Sequence, residues 1–379
     1  MLTGENGILT QAKRAKTKTE EAKVEEEDNL NLLNNMIQSY TKNTVILDKT
    51  VDELKNEGSF ANGNTLIKDD KGNRVLIPDG FKIATDSAIN VAEGIVIEDN
   101  DSSINGNEEQ KGNQFVWIPV SNINQDGSNK VIKENGDLVE ITLGRYIFSN
   151  TGEETLIQKG ENYTEEKIIR NTFKELTESI ISNETDDKTG TNTTARNLSK
   201  FISSVQVNGG FYIARYEASY RDGIRPYSKV SVTASEENKN EDGKLWNWIT
   251  QPKAAEASRA MYNNNNFETD LINSYAWDTT IVYIQKCSCD VDYSIQNSLN
   301  NSIDNTGKNS DEFCKINDMA SNIAEWETEY STIKKDSNSL PCTMRGGSAD
   351  NTKINATRRD GNKATYSSKM VGFRPILYF

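Results

Sequence analysis

Histidine is absent from the 379 residues of this chain. Without an imidazole to move protons, Ser-His-Asp and Cys-His catalysis are excluded. Zinc and non-haem iron sites built on imidazole ligands are excluded as well, so we expect neither metal. Chemistry based on lysine, glutamate, tyrosine or cysteine remains open.

Positive charge is also scarce, because 43 Lys and Arg stand against 57 Asp and Glu, a net charge of -14. Binding to nucleic acid or to anionic lipid needs a basic surface. No apolar run approaches the roughly 20 residues that cross a bilayer. We therefore expect no nucleic-acid partner and no membrane-spanning segment in this sequence.

Cysteine is confined to four positions in the last quarter of the chain, Cys287, Cys289, Cys314 and Cys342. The first two form C-x-C rather than the C-x-x-C of zinc knuckles and thioredoxin-like sites. One interpretation is free thiols, and the other is loop-stapling disulfides in an oxidising compartment. We expect at least one disulfide and favour Cys314–Cys342, although spacing alone leaves the connectivity open.

Changes in residue pattern divide the chain into three parts. Apolar residues at three- and four-residue spacing among Lys and Glu predict a helix over residues 1–40, and residues 41–75 are predicted to connect it to the rest. Residues 76–379 are typical of one loop-rich α+β domain with short strands and turn-forming residues. It is predicted to contain a polar insertion at about 121–207, with a helical piece near 165–181, and helices near 252–262 and 270–284.

Seven short segments occur in the order typical of one protein family. They are Ile77–Phe81, Phe115–Val120, Gly209–Ser219, Ala276–Asp278, Asn317–Trp326, Arg345–Ser348 and Gly372–Pro375. Together they resemble the formylglycine-generating-enzyme or sulfatase-modifying-factor family over roughly residues 76–379, which implies a C-type-lectin-like fold. The aromatic residues in these segments supply apolar area for a core. Arg345 and Arg374 are expected to be structural forks that bind carboxylates and carbonyls.

The metal ligands of this family's known chemistry have no counterparts here. In its oxidases, two cysteines after the segment like Arg345–Ser348 hold copper, and the matching positions are Asn351 and Ala356. Neither residue replaces a soft thiolate ligand. A second branch uses histidine-bound iron in sulfur chemistry. We therefore expect no copper, no iron and no enzymatic activity.

The same fold is a display platform in the variable proteins of bacterial and phage diversity-generating retroelements. In those proteins, residues between segments like Arg345–Ser348 and Gly372–Pro375 are diversified to bind different partners. The corresponding recognition window, residues 349–366, mixes donors, acceptors, both charges and a tyrosine. Its predicted ligand-binding residues, expected to be exposed on a rigid backbone, are Asp350, Asn351, Lys353, Asn355, Arg358, Arg359 and Tyr366. The expected partner is a protein or other surface ligand, and an ordinary polar loop is the alternative.

The resemblance also implies a structural calcium site, because a loop before the family's tryptophan-containing segment binds Ca²⁺. The matching ligands are the side chains of Asp318 and Glu325 and the carbonyls of Ser321 and Ile323. Oxygen ligands of this kind suit a hard cation. Two positions depart from the family pattern, since Ser321 replaces a glycine and Ala324 a tryptophan. A carboxylate that caps a turn is the alternative.

Residues Gly4–Ala12 and the Lys/Glu-rich sequence after them resemble the start of the soluble part of type IV pilin-like proteins of Gram-positive bacteria. In that family a hydrophobic anchor helix comes immediately before this point. We therefore expect an extracellular or cell-surface location, with membrane contact only through an N-terminal anchor absent from this chain. An ordinary charged N-terminal helix is the alternative.

Together these features predict a bacterial, surface-displayed ligand-binding protein, specifically a retroelement-diversified variable protein. Two other functions remain open. One is a divergent oxidase or sulfur-chemistry enzyme that uses the cysteines, and the other is a structural pilin-like or surface-layer subunit without a specific ligand.

Overall fold

The computed structural model describes residues 44–101, 112–120, 130–149, 151–159, 173–175, 195–231, 240–288, 292–297, 302–308, 311–336, 338–351 and 353–379. The predicted pilin-like helix over 1–40 lies outside these residues, as does most of the helical piece expected near 165–181. Residues Val45–Phe379 form one compact unit. Within the described ranges, no helix is long and apolar enough to cross a membrane.

The described chain is a loop-rich α+β structure of short elements. Its helices are α1 (Val51–Glu57), α2 (Leu198–Asn208), α3 (Gln251–Ala260) and α4 (Ser274–Cys287). Its strands are β1 (Thr44–Thr50), β2 (Asn64–Lys68), β3 (Arg74–Ile77), β4 (Lys82–Ile83), β5 (Val96–Glu98), β6 (Gln114–Pro119), β7 (Val131–Ile132), β8 (Leu138–Val139), β9 (Gly144–Phe148), β10 (Glu154–Lys159), β11 (Phe173–Lys174), β12 (Gly210–Ala214), β13 (Ser219–Tyr220), β14 (Pro226–Tyr227), β15 (Glu268–Leu271), β16 (Glu312–Phe313), β17 (Ile316–Asn317), β18 (Ala324–Ser331), β19 (Lys334–Lys335), β20 (Asn338–Ser339), β21 (Cys342–Arg345), β22 (Arg359–Asn362), β23 (Val371–Phe373) and β24 (Pro375–Tyr378).

Local capping sets the helix ends. Asn197 caps the start of α2 through a hydrogen bond from Lys200 N, and Gly209 with φ 77° ends it in the left-handed region. Asn273 likewise accepts from Ala276 N and starts α4. The predicted helix start at Asp270 is therefore wrong, because Glu268–Leu271 pairs with β24 as β15. Phe173–Lys174 is also a strand, not part of a helix, because it pairs with the end of β18.

Two sheets carry most of the fold. One has six antiparallel strands in the order β15-β24-β12-β6-β5-β4. The other runs β11-β18-β21-β22, with β23 parallel to β18. Because β23 and β24 are separated only by Arg374, the segment at the end of the chain joins the two sheets.

The predicted connecting segment and the predicted polar insertion both contribute residues to the core. Residues 41–75 contain β1, α1 and β2 and the start of β3, and Val51, Ile67 and Val75 are buried there. The described parts of the insertion at 121–207 bury Leu143 and Phe201 in the same way. A few apolar residues at strand or helix spacing were enough to bring these polar stretches onto the core.

Trp326 anchors a core between β18, β21, β23 and α3. Its side chain is fully buried in a cluster with Trp246, Met344 and Phe373. The indole Nε1 donates to the carbonyl of Ile249 at 2.9 Å, so its polar atom is satisfied. Both the apolar area and the hydrogen bond contribute to stability.

Replacing Trp326 with alanine should lower the free energy of unfolding by about 3–5 kcal/mol, because it leaves a large cavity and an unpaired carbonyl. Urea unfolding followed by circular dichroism measures the change. Phe60→Ala is the control, because Phe60 is exposed and its loss should cost less than about 1 kcal/mol. Equal unfolding midpoints for Trp326→Ala and the unmodified chain would show that Trp326 is not an anchor.

Candidate functional site

Three glutamates, Glu325, Glu327 and Glu329, share one face of β18, and all three are buried. Side chains alternate between the faces of a strand, which places Trp326 on the opposite face. A buried carboxylate loses hydration worth several kcal/mol unless cations and hydrogen bonds replace it. Here arginine side chains bind each of the three carboxylates. We call the three glutamates, together with these arginines, the β18 carboxylate ladder.

Arg345 of β21 joins the middle of the ladder to α4. Its Nη1 donates to both Glu327 carboxylate oxygens at 3.2 Å, and its Nη2 donates to Asp278 Oδ1 at 2.6 Å. The guanidinium also lies 5.4 Å from the ring centroid of Trp277. The prediction that Arg345 is a structural fork is confirmed.

Arg374, between β23 and β24, meets the first rung of the ladder. It donates to the Glu325 carboxylate through Nε and Nη2, the shortest contact being 2.7 Å. It also donates to the carbonyls of Ala214, Arg215 and Asn317 at 3.0, 3.2 and 2.7 Å. One guanidinium therefore ties β12, β17 and β18 together, as predicted for a fork.

Arg359 binds Glu329, the last glutamate of the ladder, and its position contradicts one prediction. Its side chain is only 12 % exposed, and it donates to Asp278 and, through Nε, to Glu329 at 3.0 Å. Arg145 of β9 donates to the same glutamate. The expectation that Arg359 is exposed is wrong, because in β22 it lies opposite Arg345 and its side chain binds buried carboxylates.

Burial and the arginines of the ladder give two neighbouring carboxyls, those of Glu329 and Glu175, different pKa values. Although burial opposes ionisation, Arg359 and Arg145 lower the pKa of Glu329 to about 2. Glu175, directly after β11, accepts a hydrogen bond from Ser274 N at the start of α4, at 2.6 Å. Burial, and then the charge of Glu329, raise the pKa of Glu175 to about 7. Partial protonation of Glu175 at neutral pH therefore limits the negative charge at this end.

Trp277 and Arg345 also fix the backbone of the recognition window. Trp277 Nε1 donates to the carbonyl of Ala356 at 3.0 Å, and Arg345 Nε donates to the carbonyl of Arg358 at 2.8 Å. Strands β21 and β22 then pair in antiparallel register over four residues each, from Cys342 opposite Asn362 to Arg345 opposite Arg359. Within the segment Ala276–Asp278, Trp277 therefore binds the backbone of the window, and its neighbour Asp278 accepts hydrogen bonds from Arg345 and Arg359.

The segment 292–297 supports the window from another side. The carbonyl of Ser294 accepts from Thr357 Oγ1, and that of Gln296 accepts from Ala356 N, both at 3.2 Å. At the far end of the window, Tyr366 N donates to the carbonyl of Lys363 at 3.0 Å. The window is therefore fixed by hydrogen bonds along most of its described length.

The predicted ligand residues divide into three groups. Four are exposed: Asp350, Asn351, Lys353 and Tyr366. Asn355 and Arg358 are half-buried, and Arg358 Nη2 donates to Asp360 Oδ2 at 2.6 Å. Arg359 belongs to the ladder. The predicted exposure is therefore confirmed for four of the seven residues and is wrong for Asn355, Arg358 and Arg359.

The sequence did not single out Asp360, inside the window, or Trp248, whose backbone binds Ser368 just after it. Asp360 is 48 % exposed, and alternation along a strand would have placed it outward beside an inward Arg359. Half-buried Trp248 has φ 54°, an uncommon conformation for a bulky residue, and its N–H donates to the carbonyl of Ser368 at 2.9 Å. No local signal in the sequence identifies Trp248.

Two glycines let the start of the window pack closely. Gly346 has φ 79°, and a Cβ there would lie 2.6 Å from the carbonyl oxygen of Met319. A Cβ on Gly347 would lie 1.7 Å from the carbonyl oxygen of Ala320. Only glycine permits this contact between the window and the loop proposed to hold calcium.

Both predicted carboxylate ligands of calcium have hydrogen-bond partners within the protein. Asp318 Oδ2 accepts from Gly307 N at 2.7 Å, and its Oδ1 lies 3.5 Å from the Ser321 hydroxyl. The Glu325 carboxylate is bound by Arg374. Among the residues that the structure describes, no group of three His, Cys, Asp or Glu side chains is arranged to hold a metal.

Buried carboxyls nevertheless outnumber cations around this loop. The amide of Ile323 donates to Glu217 at 3.2 Å, and Glu217, Asp311 and Asp318 are all buried. Burial, and then the charge of Asp318, raise the pKa of Glu217 well above its usual range. The buried Asn317 side chain makes no hydrogen bond. Protons or a bound cation are the two ways to balance this charge.

The predicted Cys314–Cys342 disulfide is wrong, because the two cysteines are free thiols that lie in different parts of the fold. Cys342 belongs to the Trp326 core and lies 3.9 Å from Gln251 Oε1, whereas Cys314 Sγ lies 3.3 Å from Ser288 Oγ. Burial raises the pKa of Cys314 to about 11. The spacing of the cysteines along the chain could not predict that Cys314 and Cys342 lie apart in the fold.

Comparison with known proteins finds only weak structural similarity. No family model matches the chain, and no curated protein matches it. The crystal structure of CarF is similar at 14% identity and a TM-score of 0.34, over 45% of this chain and 87% of CarF. Treponema denticola variable protein 1 is similar at 15% identity and a TM-score of 0.22, over 33% of this chain and 53% of that protein. Both scores are low, so the site is defined by its own contacts.

Replacing Arg359 with alanine should lower the free energy of unfolding by about 3–5 kcal/mol, because Asp278 and Glu329 would lose a buried cation. Arg358→Ala is the matched control. Its side chain pairs only with half-exposed Asp360, and the backbone carbonyl that Arg345 binds is kept, so less than about 1 kcal/mol should be lost. Urea unfolding compares the two. Similar losses at both positions would mean that the ladder does not depend on Arg359.

Proposed function

We propose that this chain is a surface-displayed ligand-binding protein with a C-type-lectin-like fold, and that it recognises its partner through the recognition window, as retroelement variable proteins do. The contacting side chains are Asp350, Asn351, Lys353, Asn355, Arg358 and Tyr366, joined by Asp360. The partner is a protein or another surface ligand, and the chain acts outside a bacterial cell.

One observation carries this proposal. The window backbone is bound from below by Trp277 and Arg345, while Asp350, Asn351 and Lys353 face solvent. A prearranged backbone loses little entropy when it binds, which favours recognition. Tyrosine and arginine supply much of the energy of protein interfaces, and the window offers Tyr366 at 37 % exposure.

We also propose that the chain is not an enzyme. The oxidases of the family that the chain resembles hold copper through cysteines, and burial raises the pKa of both Cys287 and Cys314 above the usual range for a thiol. These thiols are therefore poor nucleophiles and poor copper ligands at neutral pH. The neighbouring DNA separates the remaining alternatives, because a reverse-transcriptase gene beside a near-copy of the 3′ end would distinguish a variable protein from a structural subunit.

Randomising Asp350, Asn351, Lys353 and Tyr366 together on a displayed chain should yield binders to an unrelated test protein, because the backbone beneath stays in place. Stability should change by only roughly ±0.5 kcal/mol per exposed site. Selection by cell sorting and urea unfolding of individual clones measure both effects.

The control library randomises four exposed residues of other loops, Asp70, Glu134, Asn135 and Asp137. It should fold equally well and give few or no binders. A window library whose clones unfold, or one no better than the control, would exclude the window as the recognition surface.

Calcium at the loop of Asp318, Ser321, Ile323 and Glu325 is the one metal that we propose, and the crowding of buried carboxyls supports it. Chelation by EDTA should then lower the melting temperature, and added Ca²⁺ should restore it. Asp318→Asn keeps an oxygen acceptor for Gly307 N but loses the charge, so it should abolish the response. A melting temperature indifferent to EDTA would assign the charge balance to protons.

A further inference from the structure

Cys287 and Cys314 converge on one buried turn. Cys287 is the last residue of α4, and the next residue, Ser288, has its hydroxyl 3.3 Å from Cys314 Sγ. The Cys314 thiol also lies 3.5 Å from the carbonyl oxygen of Ala92. Tyr283, one turn before Cys287 on the same side of α4, donates to the neighbouring carbonyl of Val91 at 2.6 Å. The two thiols thus approach the same backbone from α4 and from β16-β17.

The turn that carries Cys314 is held in place. Cys314 and Lys315 have φ 48° and 64°, so the two residues between β16 and β17 form a tight hairpin turn with both in the left-handed region. Gly94 packs directly against this turn, since a Cβ there would lie 2.0 Å from the carbonyl oxygen of Cys314. A rigid turn and a helix end therefore bring both cysteines to the same buried turn, where both are free thiols in the structure.

We propose that Cys287 and Cys314 form an intrachain disulfide when the chain folds in the presence of a disulfide oxidant such as oxidised glutathione. One thiolate attacks the oxidant and releases one glutathione thiol, and the second thiolate then displaces the other. Two protons and two electrons leave the protein, and one glutathione disulfide becomes two thiols. Neither sulfur needs Cys342, which lies in the Trp326 core.

Burial explains when this reaction takes place. Burial, and then Cys314, raise the pKa of Cys287, so little thiolate is present once the chain has folded. The bond therefore forms while the thiols are still exposed and is afterwards protected from exchange. This behaviour is that of a structural staple and not of a reversible switch.

The staple would close the segment that supports the recognition window. Ser294 and Gln296, whose carbonyls bind Thr357 and Ala356, lie between the two cysteines. Closing this segment lowers the entropy of the unfolded chain and restricts its motion in the folded chain. This consequence rests on the proposed function, whereas the disulfide itself does not.

The test refolds the full chain in a mixture of oxidised and reduced glutathione, and in parallel in a phosphine reductant. After alkylation of remaining thiols, proteolysis without reduction and mass spectrometry should find one peptide pair that joins Cys287 to Cys314. Closing this loop should raise the melting temperature by about 5 °C relative to the reduced chain.

Single alanine variants identify the partners. Cys287→Ala and Cys314→Ala should each abolish the difference in melting temperature between oxidised and reduced chain, and Cys342→Ala should keep it. Four alkylated cysteines after oxidative refolding would overturn the proposal. So would a Cys289–Cys314 bond in the unmodified chain, or an oxidation-dependent gain that survives Cys287→Ala. Peptide mapping of the unmodified chain decides the question even where a variant fails to fold.

Discussion

The rest of this structure depends on charge compensation along one face of β18. Three buried carboxyls, at Glu325, Glu327 and Glu329, are met by guanidiniums that come from different elements of the fold. Each contact fails if β18 slips by one residue, because its side chains would exchange faces and Trp326 would leave the core. Buried ion pairs add little net stability over apolar packing, but breaking one is costly. The ladder therefore fixes register and topology more than it adds stability.

The recognition window takes its rigidity from this ladder. Arg345 binds Glu327 and Asp278 and, with its remaining Nε, the backbone of the window. Trp277 completes the support one residue away from Asp278. Groups outside the window thus hold its backbone at Ala356 and Arg358, and within the window Asn351 and Asn355 accept from Lys353 N and Thr357 N at 3.1 and 3.2 Å. This fixed backbone is the physical basis of the proposed binding role.

Much of this arrangement could be predicted from the sequence, and the errors have physical causes. The α+β character, the aromatic core and the roles of Arg345 and Arg374 follow from residue types and spacing. The inward direction of Arg359 depends on its register opposite Arg345, a long-range pairing that no local pattern reveals. The proximity of Cys314 to Ser288, and its distance from Cys342, depend equally on topology. The glutamates of β18 alternate in the sequence, but charged residues are so seldom buried that alternation alone does not predict that they face the core.

The boundary between structural and adaptable residues runs through single strands. In β22, Arg359 points inward and closes the ladder, while the flanking Arg358 and Asp360 pair with each other nearer the surface. Substituting an outward residue leaves no buried charge without a partner, whereas substituting the inward one does. A binding surface that changes its chemistry on a fixed fold therefore has to change at alternate positions of β22. In the loop before β22 that restriction does not apply to Asp350 and Lys353, whose side chains are exposed, whereas Asn351 Oδ1 accepts from Lys353 N at 3.1 Å and helps to shape the loop.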